Sequence, residues 1–190
     1  MTNILPKLNN AIRQAIGRVQ IPLVIIMCTG IWLAYMAGFQ LSGSIHAASR
    51  WMGATLACTS AIVVLQKTAY RDSLRMGITR VLGTFIGAAV AYVYLRFFDF
   101  TVFGMLVSVF VLEMLFMLLG IYNNGHIATV TLIIIMLVSQ QSPDIDPATN
   151  CILRFFESAV GAFIGVALLW VTEQWNRLKS KLKAKFFGKK

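Results

Sequence analysis

Two stretches of the chain repeat one pattern, RVLGTFIGA at residues 80–88 and RFFESAVGA at residues 154–162. In each, an arginine stands at the start of a long apolar run and a small hydroxyl residue follows four positions later. Gly-Ala then follows three positions after the hydroxyl. The repetition predicts that one helix start is used twice, with the glycines setting close helix packing.

A shift of 74 residues superimposes further features without a gap. The matched pairs are Gln66 with Gln140, Asp72 with Asp146, Ile78 with Ile152, Arg80 with Arg154, Thr84 with Ser158, Gly87 with Gly161 and Ala88 with Ala162. We interpret them as an internal duplication of three helices. Because three is an odd number, the second copy is inverted across a membrane, an arrangement typical of secondary transporters. A duplication that only builds a stable bundle is the alternative.

The composition favours a membrane protein. Of 190 residues, 58% are hydrophobic and 13% are charged, whereas soluble domains carry about 25% charged residues. Several apolar runs reach the length of about 17 to 25 residues that crosses a bilayer. We place six spans, at residues 20–39, 50–66, 80–98, 101–121, 126–140 and 152–172. The sequence therefore predicts an all-α membrane domain over residues 20–172, with repeat halves at about 20–98 and 101–172.

The basic residues orient this domain by the positive-inside rule. With the N-terminus in the cytoplasm, three of them lie in the N-terminal segment, four before or at the start of the third span, and seven in the tail. Only Arg50, Arg96 and Arg154 remain on the other side. Both termini are therefore predicted to be cytoplasmic. Basic residues at the ends of apolar runs also argue against a nucleic-acid partner, which needs a basic face on a soluble fold.

Both ends of the chain have the character of interfacial helices. Within residues 1–19, apolar residues recur at three- and four-residue spacing and polar residues lie opposite them, which predicts an amphipathic surface helix. Residues 173–190 form a basic tail that we expect to contact anionic lipid headgroups. A charged segment that only improves solubility is the alternative for the tail.

The stretch QKTAYRDSLRMGITRVLGTFIGA, residues 66–88, resembles the pore region of the aromatic acid exporter and fusaric acid resistance-like membrane proteins. Their signature of Arg, two residues, Gly-Thr, two residues and Gly is matched by Arg80, Gly83, Thr84 and Gly87. The second family motif, near the last span, is matched by Arg154, Glu157, Ser158 and Gly161. The resemblance implies a six-helix domain, export of small organic anions such as aromatic carboxylates, and pairing of two such domains.

The two arginines are the first candidates for anion binding. A guanidinium with a hydroxyl four residues on, as in Arg80 with Thr84 and Arg154 with Ser158, offers a planar donor fork that suits a carboxylate. Alternatively, each arginine extends to the headgroup layer as a helix-end anchor. Arg154 could instead pair with Glu157 at i+3.

Two acids and three further polar residues are candidates for binding or coupling. Glu113 lies near the middle of the fourth span, where a carboxylate is costly and a functional role, such as carrying a coupling proton, is the default hypothesis. Glu157 is a second candidate, and a structural hydrogen bond is the alternative for each acid. His126 starts the fifth span, where an interfacial cap is the competing interpretation. Gln66 and Gln140 are supported only by their symmetry.

Small residues predict close helix contacts. Gly83 with Gly87, and Gly161 with Gly165, form two GxxxG motifs, which let helix backbones approach each other. We expect the third and sixth spans to pack tightly, with contact between those two spans as one arrangement.

The sequence predicts a transporter rather than an enzyme. It has no phosphate loop, zinc-protease motif or nucleophile elbow, and its three cysteines lack paired metal-ligand spacing. We therefore expect no metal and no cofactor. The leading hypothesis is a homo-oligomeric exporter of small aromatic or hydrophobic organic anions in a bacterial inner membrane, with an export-adaptor protein as a candidate partner. The alternative is a non-transporting membrane module that docks a protein or lipid.

Overall fold

The computed structural model describes residues 21–67, 69–120, 122–142 and 144–187, with the side chains of 122–124 and 181–187 excepted. The predicted surface helix at residues 1–19 lies outside these described residues. The described helices are α1 (Ile21–Ile45), α2 (Arg50–Leu65), α3 (Tyr70–Phe97), α4 (Val102–Leu118), α5 (Tyr122–Gln141) and α6 (Pro147–Phe187). A short 3-10 helix, Ala47–Ser49, precedes α2. No strand occurs in the described ranges, so the all-α prediction is confirmed.

Four of these segments are long and apolar enough to cross a membrane, namely Ile21–Ile45, Ala47–Leu65, Tyr70–Phe97 and Pro147–Ser180. The apolar parts of α4 and α5, Val102–Leu118 and Gly125–Gln141, are shorter. The chain is therefore a multi-pass membrane protein.

Local sequence explains where two of the helices begin. At α4, the Thr101 hydroxyl accepts a hydrogen bond from the Gly104 N–H at 3.0 Å, which satisfies one of the free amides of the first turn. At α6, the Asp146 carboxylate accepts bonds from the N–H groups of Ala148 and Thr149. Pro147 occupies the first position of α6, where its missing N–H costs nothing.

Two helices extend beyond their predicted spans. Helix α3 begins ten residues before the predicted span at residue 80, because the charged segment from Tyr70 contains no helix-breaking proline. Helix α6 continues through the basic tail to Phe187 without interruption. The described part of the tail is therefore a continuation of the last span and not a separate helix.

The motif glycines make the close contacts that the sequence predicted, but on other partners. A Cβ placed on Gly87 of α3 would lie 2.2 Å from the carbonyl oxygen of Ala128 in α5. A Cβ placed on Gly161 of α6 would lie 2.1 Å from the carbonyl oxygen of Ala57 in α2. The other two motif glycines, Gly83 and Gly165, lie against the same two helices. Helices α3 and α6 also contact each other, but their motif glycines face α5 and α2.

Candidate functional site

The first polar cluster joins α2, α3 and α6 in the interior. Arg80 is only 8% exposed, and its Nε donates a hydrogen bond to the Ser60 hydroxyl at 3.2 Å. The Ser60 and Ser158 hydroxyls are 3.0 Å apart, and Ser158 lies 3.0 Å from the Thr84 hydroxyl. Thr84 donates to the backbone carbonyl of Arg80 at 2.8 Å. The structure thus brings together three residues that the sequence singled out.

The donor and the acceptor of each hydrogen bond in this cluster can be assigned in one consistent way. Each hydroxyl has a single hydrogen to donate. Because Thr84 donates to the Arg80 carbonyl, Ser158 donates to Thr84, and Ser60 in turn donates to Ser158. Ser60 is then free to accept from Arg80 Nε. The result is a closed ring of bonds that holds the guanidinium by its Nε atom.

The terminal nitrogens of Arg80 differ from its Nε. Within the described ranges, no carboxylate lies within ion-pair distance of this guanidinium, and its one side-chain bond is the bond to Ser60. A buried cation is normally stabilised by a counter-charge. The Nη atoms of Arg80 are therefore the donors available to an anionic ligand.

The second polar cluster surrounds Arg154, which is fully buried. Its Nη1 atom lies 2.8 Å from Glu157 Oε2, and its Nε donates to the Asn150 side-chain oxygen at 3.1 Å. The Asn150 amide reaches α5, where it donates to the Ser139 hydroxyl at 3.0 Å. The Ser42 hydroxyl of α1 donates to the other oxygen of Glu157. This network connects α1, α5 and α6, with the ion pair at its centre.

The two arginines, which are equivalent in the sequence repeat, therefore have different surroundings. Arg154 has a carboxylate three residues later, in Glu157. The position that corresponds to Glu157 in the first copy is Gly83. Since glycine supplies no carboxylate, the first copy has no counter-charge of its own at that position.

Glu113 belongs to neither cluster. It is partly buried on α4, and the Thr129 hydroxyl of α5 donates to it at 2.5 Å. His126 is exposed one turn before Thr129 on α5. Gln66 and Gln140 are exposed near the C-terminal ends of α2 and α5, and neither makes a described side-chain bond to the two clusters.

Several residues of the clusters were missed by sequence reasoning. Asn150 precedes Arg154 by four residues, a spacing that could have identified it as a neighbour on one helix face. Ser42, Ser60 and Ser139 are single serines in apolar helices, and only the tertiary packing shows which of them face an arginine. The described residues contain no group of three or more His, Cys, Asp or Glu side chains that could hold a metal ion.

One known family matches most of the chain. The family model described as fusaric acid resistance protein-like matches residues 33–168. The chain belongs to this family. The match covers both arginine clusters and most of the helical bundle, and it relates the chain to membrane transport and resistance. No curated protein and no solved structure matches the chain significantly.

Proposed function

We propose that this fusaric acid resistance-like protein is a secondary exporter of small aromatic or hydrophobic carboxylates, and not an enzyme. In this proposal it works as a homodimer in a bacterial inner membrane, with both termini in the cytoplasm. The observation that carries the proposal is the guanidinium of Arg80. It is buried between three helices, held by Ser60, and lacks a counter-charge among the described residues.

The chemistry of this group suits a carboxylate. A guanidinium presents parallel N–H donors that match the two oxygens of a carboxylate. Because the hydroxyl ring binds Nε, the side chain is oriented before the ligand arrives, and less entropy is lost on binding. A bound anion would also neutralise a cation that is costly to hold within a membrane.

We further propose that the domain consists of two inverted three-helix repeats, α1–α3 and α4–α6. The motif glycines of α3 pack on α5, and those of α6 pack on α2. This pattern is expected of two related halves, because the third helix of each half contacts the second helix of the other. Two grooves between α3 and α6, with volumes of about 450 and 410 Å³, give independent support. All nine residues that line one groove correspond to the nine that line the other after the shift of 74 residues.

Transport by purified protein in proteoliposomes tests this function. With fusaric acid, a hydrophobic pyridine carboxylate, as the probe, we expect substrate flux that responds to an imposed pH gradient. Arg80→Gln should reduce this flux by about tenfold or more, because charge-assisted hydrogen bonds are lost. Arg75→Gln is the matched control, since Arg75 is exposed on the same helix and loses the same charge.

Proton coupling through Glu113 is tested in the same assay. Glu113→Gln should abolish the response to the pH gradient, while substrate exchange without a gradient persists. An unchanged response in Glu113→Gln would overturn this coupling role. Equal losses in Arg80→Gln and Arg75→Gln would overturn the assignment of Arg80.

The second candidate function is a non-transporting module that docks a protein, such as an export adaptor, or a lipid. The basic C-terminal part of α6 favours it, because that part extends the helix beyond the apolar span. Absence of substrate flux in the wild-type protein, together with a stable hetero-complex in native mass spectrometry, would favour docking over transport.

A further inference from the structure

A polar pocket of about 440 Å³ lies where the first turn of α3 meets α6. Its described wall includes Tyr70, Arg71, Leu169, Asn176 and Arg177. The two arginines come from different helices, and both are exposed. In the proposed orientation this end of the bundle faces the cytoplasm.

The surrounding residues place this pocket at the level of the lipid headgroups. Trp170 and Trp175 are exposed on α6, 49% and 58% respectively, and exposed tryptophans are enriched at membrane interfaces. Buried Leu169 marks the apolar side of the pocket, and the residues of α6 that line it further along are polar or charged. The pocket therefore spans the boundary between the hydrocarbon and the headgroup layer.

The charges of the pocket favour an anion. Arg71 makes no described bond to a protein side chain, so its donors are available. Glu173 supplies the one described carboxylate of the wall, and it is bound to Arg177 at 2.6 Å. Two guanidiniums thus face a single acid. Arginine forks bind phosphate oxygens in pairs, and basic pockets on the cytoplasmic side of membrane helices bind anionic headgroups.

We propose that this pocket binds the phosphate of an anionic phospholipid through Arg71 and Arg177. A lipid satisfies both parts of the wall, because its phosphate contacts the arginines while its glycerol and upper acyl chain contact the side of Leu169. The assignment is independent of Arg80 and of any transported substrate. It makes the junction of α3 and α6 sensitive to the lipid composition of the cytoplasmic leaflet.

A neighbouring pocket provides matched controls. It is smaller, about 240 Å³, and its described wall is formed by Lys67, Asp72, Arg75, Met76 and Thr79. Arg75 follows Arg71 by one helical turn and is also exposed, but it does not line the proposed site. Asp72 is an acid on the same side of the membrane that likewise lies outside it. These residues separate a specific site from general surface charge.

Native mass spectrometry of the delipidated full-length protein tests the proposal. Palmitoyl-oleoyl phosphatidylglycerol and the corresponding phosphatidylcholine are titrated in turn, and the affinity for the first bound lipid is measured. We expect phosphatidylglycerol to bind more tightly than phosphatidylcholine. Arg71→Gln and Arg177→Gln should each weaken phosphatidylglycerol binding by about fivefold, as expected for one basic residue at the surface. Arg75→Gln should leave it unchanged.

Removal of the competing acid gives a test in the opposite direction. Glu173→Gln should strengthen phosphatidylglycerol binding by about fivefold, because Arg177 is released and a negative charge is lost. Asp72→Asn removes the same charge outside the pocket and should have no effect. Arg71→Lys should retain more binding than Arg71→Gln, and unchanged melting temperatures would show that the variants are folded.

Three results would overturn the proposal. Equal affinity for phosphatidylcholine would exclude recognition of the anionic headgroup. Equal effects of Arg75→Gln and Arg71→Gln would reduce the site to surface charge. Displacement of the lipid by a large excess of free sn-glycerol 3-phosphate would reassign the pocket to a soluble phosphate compound.

Discussion

At the scale of single residues, Arg80 and Arg154 show how one sequence pattern can produce two chemical environments. Arg154 is fully buried against Glu157 and Asn150, whereas the described partner of the Arg80 side chain is a serine hydroxyl. A buried ion pair is costly to break, because the remaining charge is left without a partner. We therefore expect the second cluster to have mainly a structural role, and we propose the first as the site for a ligand.

This difference predicts unequal effects on stability. Arg154→Gln should lower the free energy of unfolding by about 3 to 5 kcal/mol, since it leaves the Glu157 carboxylate buried and unpaired. The double variant Arg154→Gln with Glu157→Gln should be more stable than Arg154→Gln alone. Unfolding in mixed micelles, followed by circular dichroism, measures both.

The exposed pair of Arg177 with Glu173 is the control for this comparison of single and double variants. Exposed ion pairs contribute about 0 to 1 kcal/mol to the free energy of unfolding. A double variant no more stable than the single Arg154→Gln would contradict the importance of the pair.

The pairing at i+3 was visible in the sequence as one of three alternatives for Arg154. The distinct environment of Arg80 was not, because Ser60 reaches it only through the packing of α2 against α3 and α6.

At the scale of helices, the GxxxG motifs predicted close packing but could not name the partner. A motif of small residues shows that one helix face is flat. It contains no information about which neighbouring helix that face meets. The choice of α5 for Gly87 and of α2 for Gly161 depends on the whole bundle. The extension of α3 to Tyr70 was missed for a similar reason, since charged residues mark the membrane boundary and not the helix boundary.

Substitution of glycine by alanine along α3 tests this packing. Gly87→Ala should destabilise the protein by about 1 to 3 kcal/mol, because its Cβ would meet a backbone carbonyl at 2.2 Å. Gly77→Ala is the control on the same helix, since its nearest contact is a side-chain methyl of Val166 at 3.0 Å, which can move. Both substitutions raise helix propensity equally. Equal melting temperatures for the two variants would contradict a close contact between α3 and α5.

At the scale of the whole molecule, seven matched pairs in the sequence predict a duplication, but they do not give the position of a symmetry axis. Thr84 and Ser158 correspond under the shift of 74 residues, and their hydroxyls are 3.0 Å apart. A residue and its symmetry mate can touch only where they lie beside the axis that relates them. In the proposed inverted repeat, this axis therefore passes between α3 and α6 at these two hydroxyls.

The distance between two residues beside this axis can be tested by experiment. If the two halves exchange conformations during transport, residues beside the axis keep their separation while distant residues change theirs. In a variant without the native cysteines Cys28, Cys58 and Cys151, we therefore expect Thr84→Cys and Ser158→Cys to form a disulfide on oxidation. The linked protein should still transport fusaric acid, although more slowly than the wild type, because the two hydroxyls that help to hold Arg80 are lost.

The control for this experiment is a second pair related by the same shift, Thr55→Cys with Thr129→Cys. These residues lie on α2 and α5, which do not contact each other within the described residues, so no disulfide should form within one chain. A link between Thr55 and Thr129 would show that sequence correspondence alone does not identify the axis. A link between Thr84 and Ser158 that stops transport reversibly would show that α3 and α6 must separate, because exchange about a fixed axis leaves that distance unchanged.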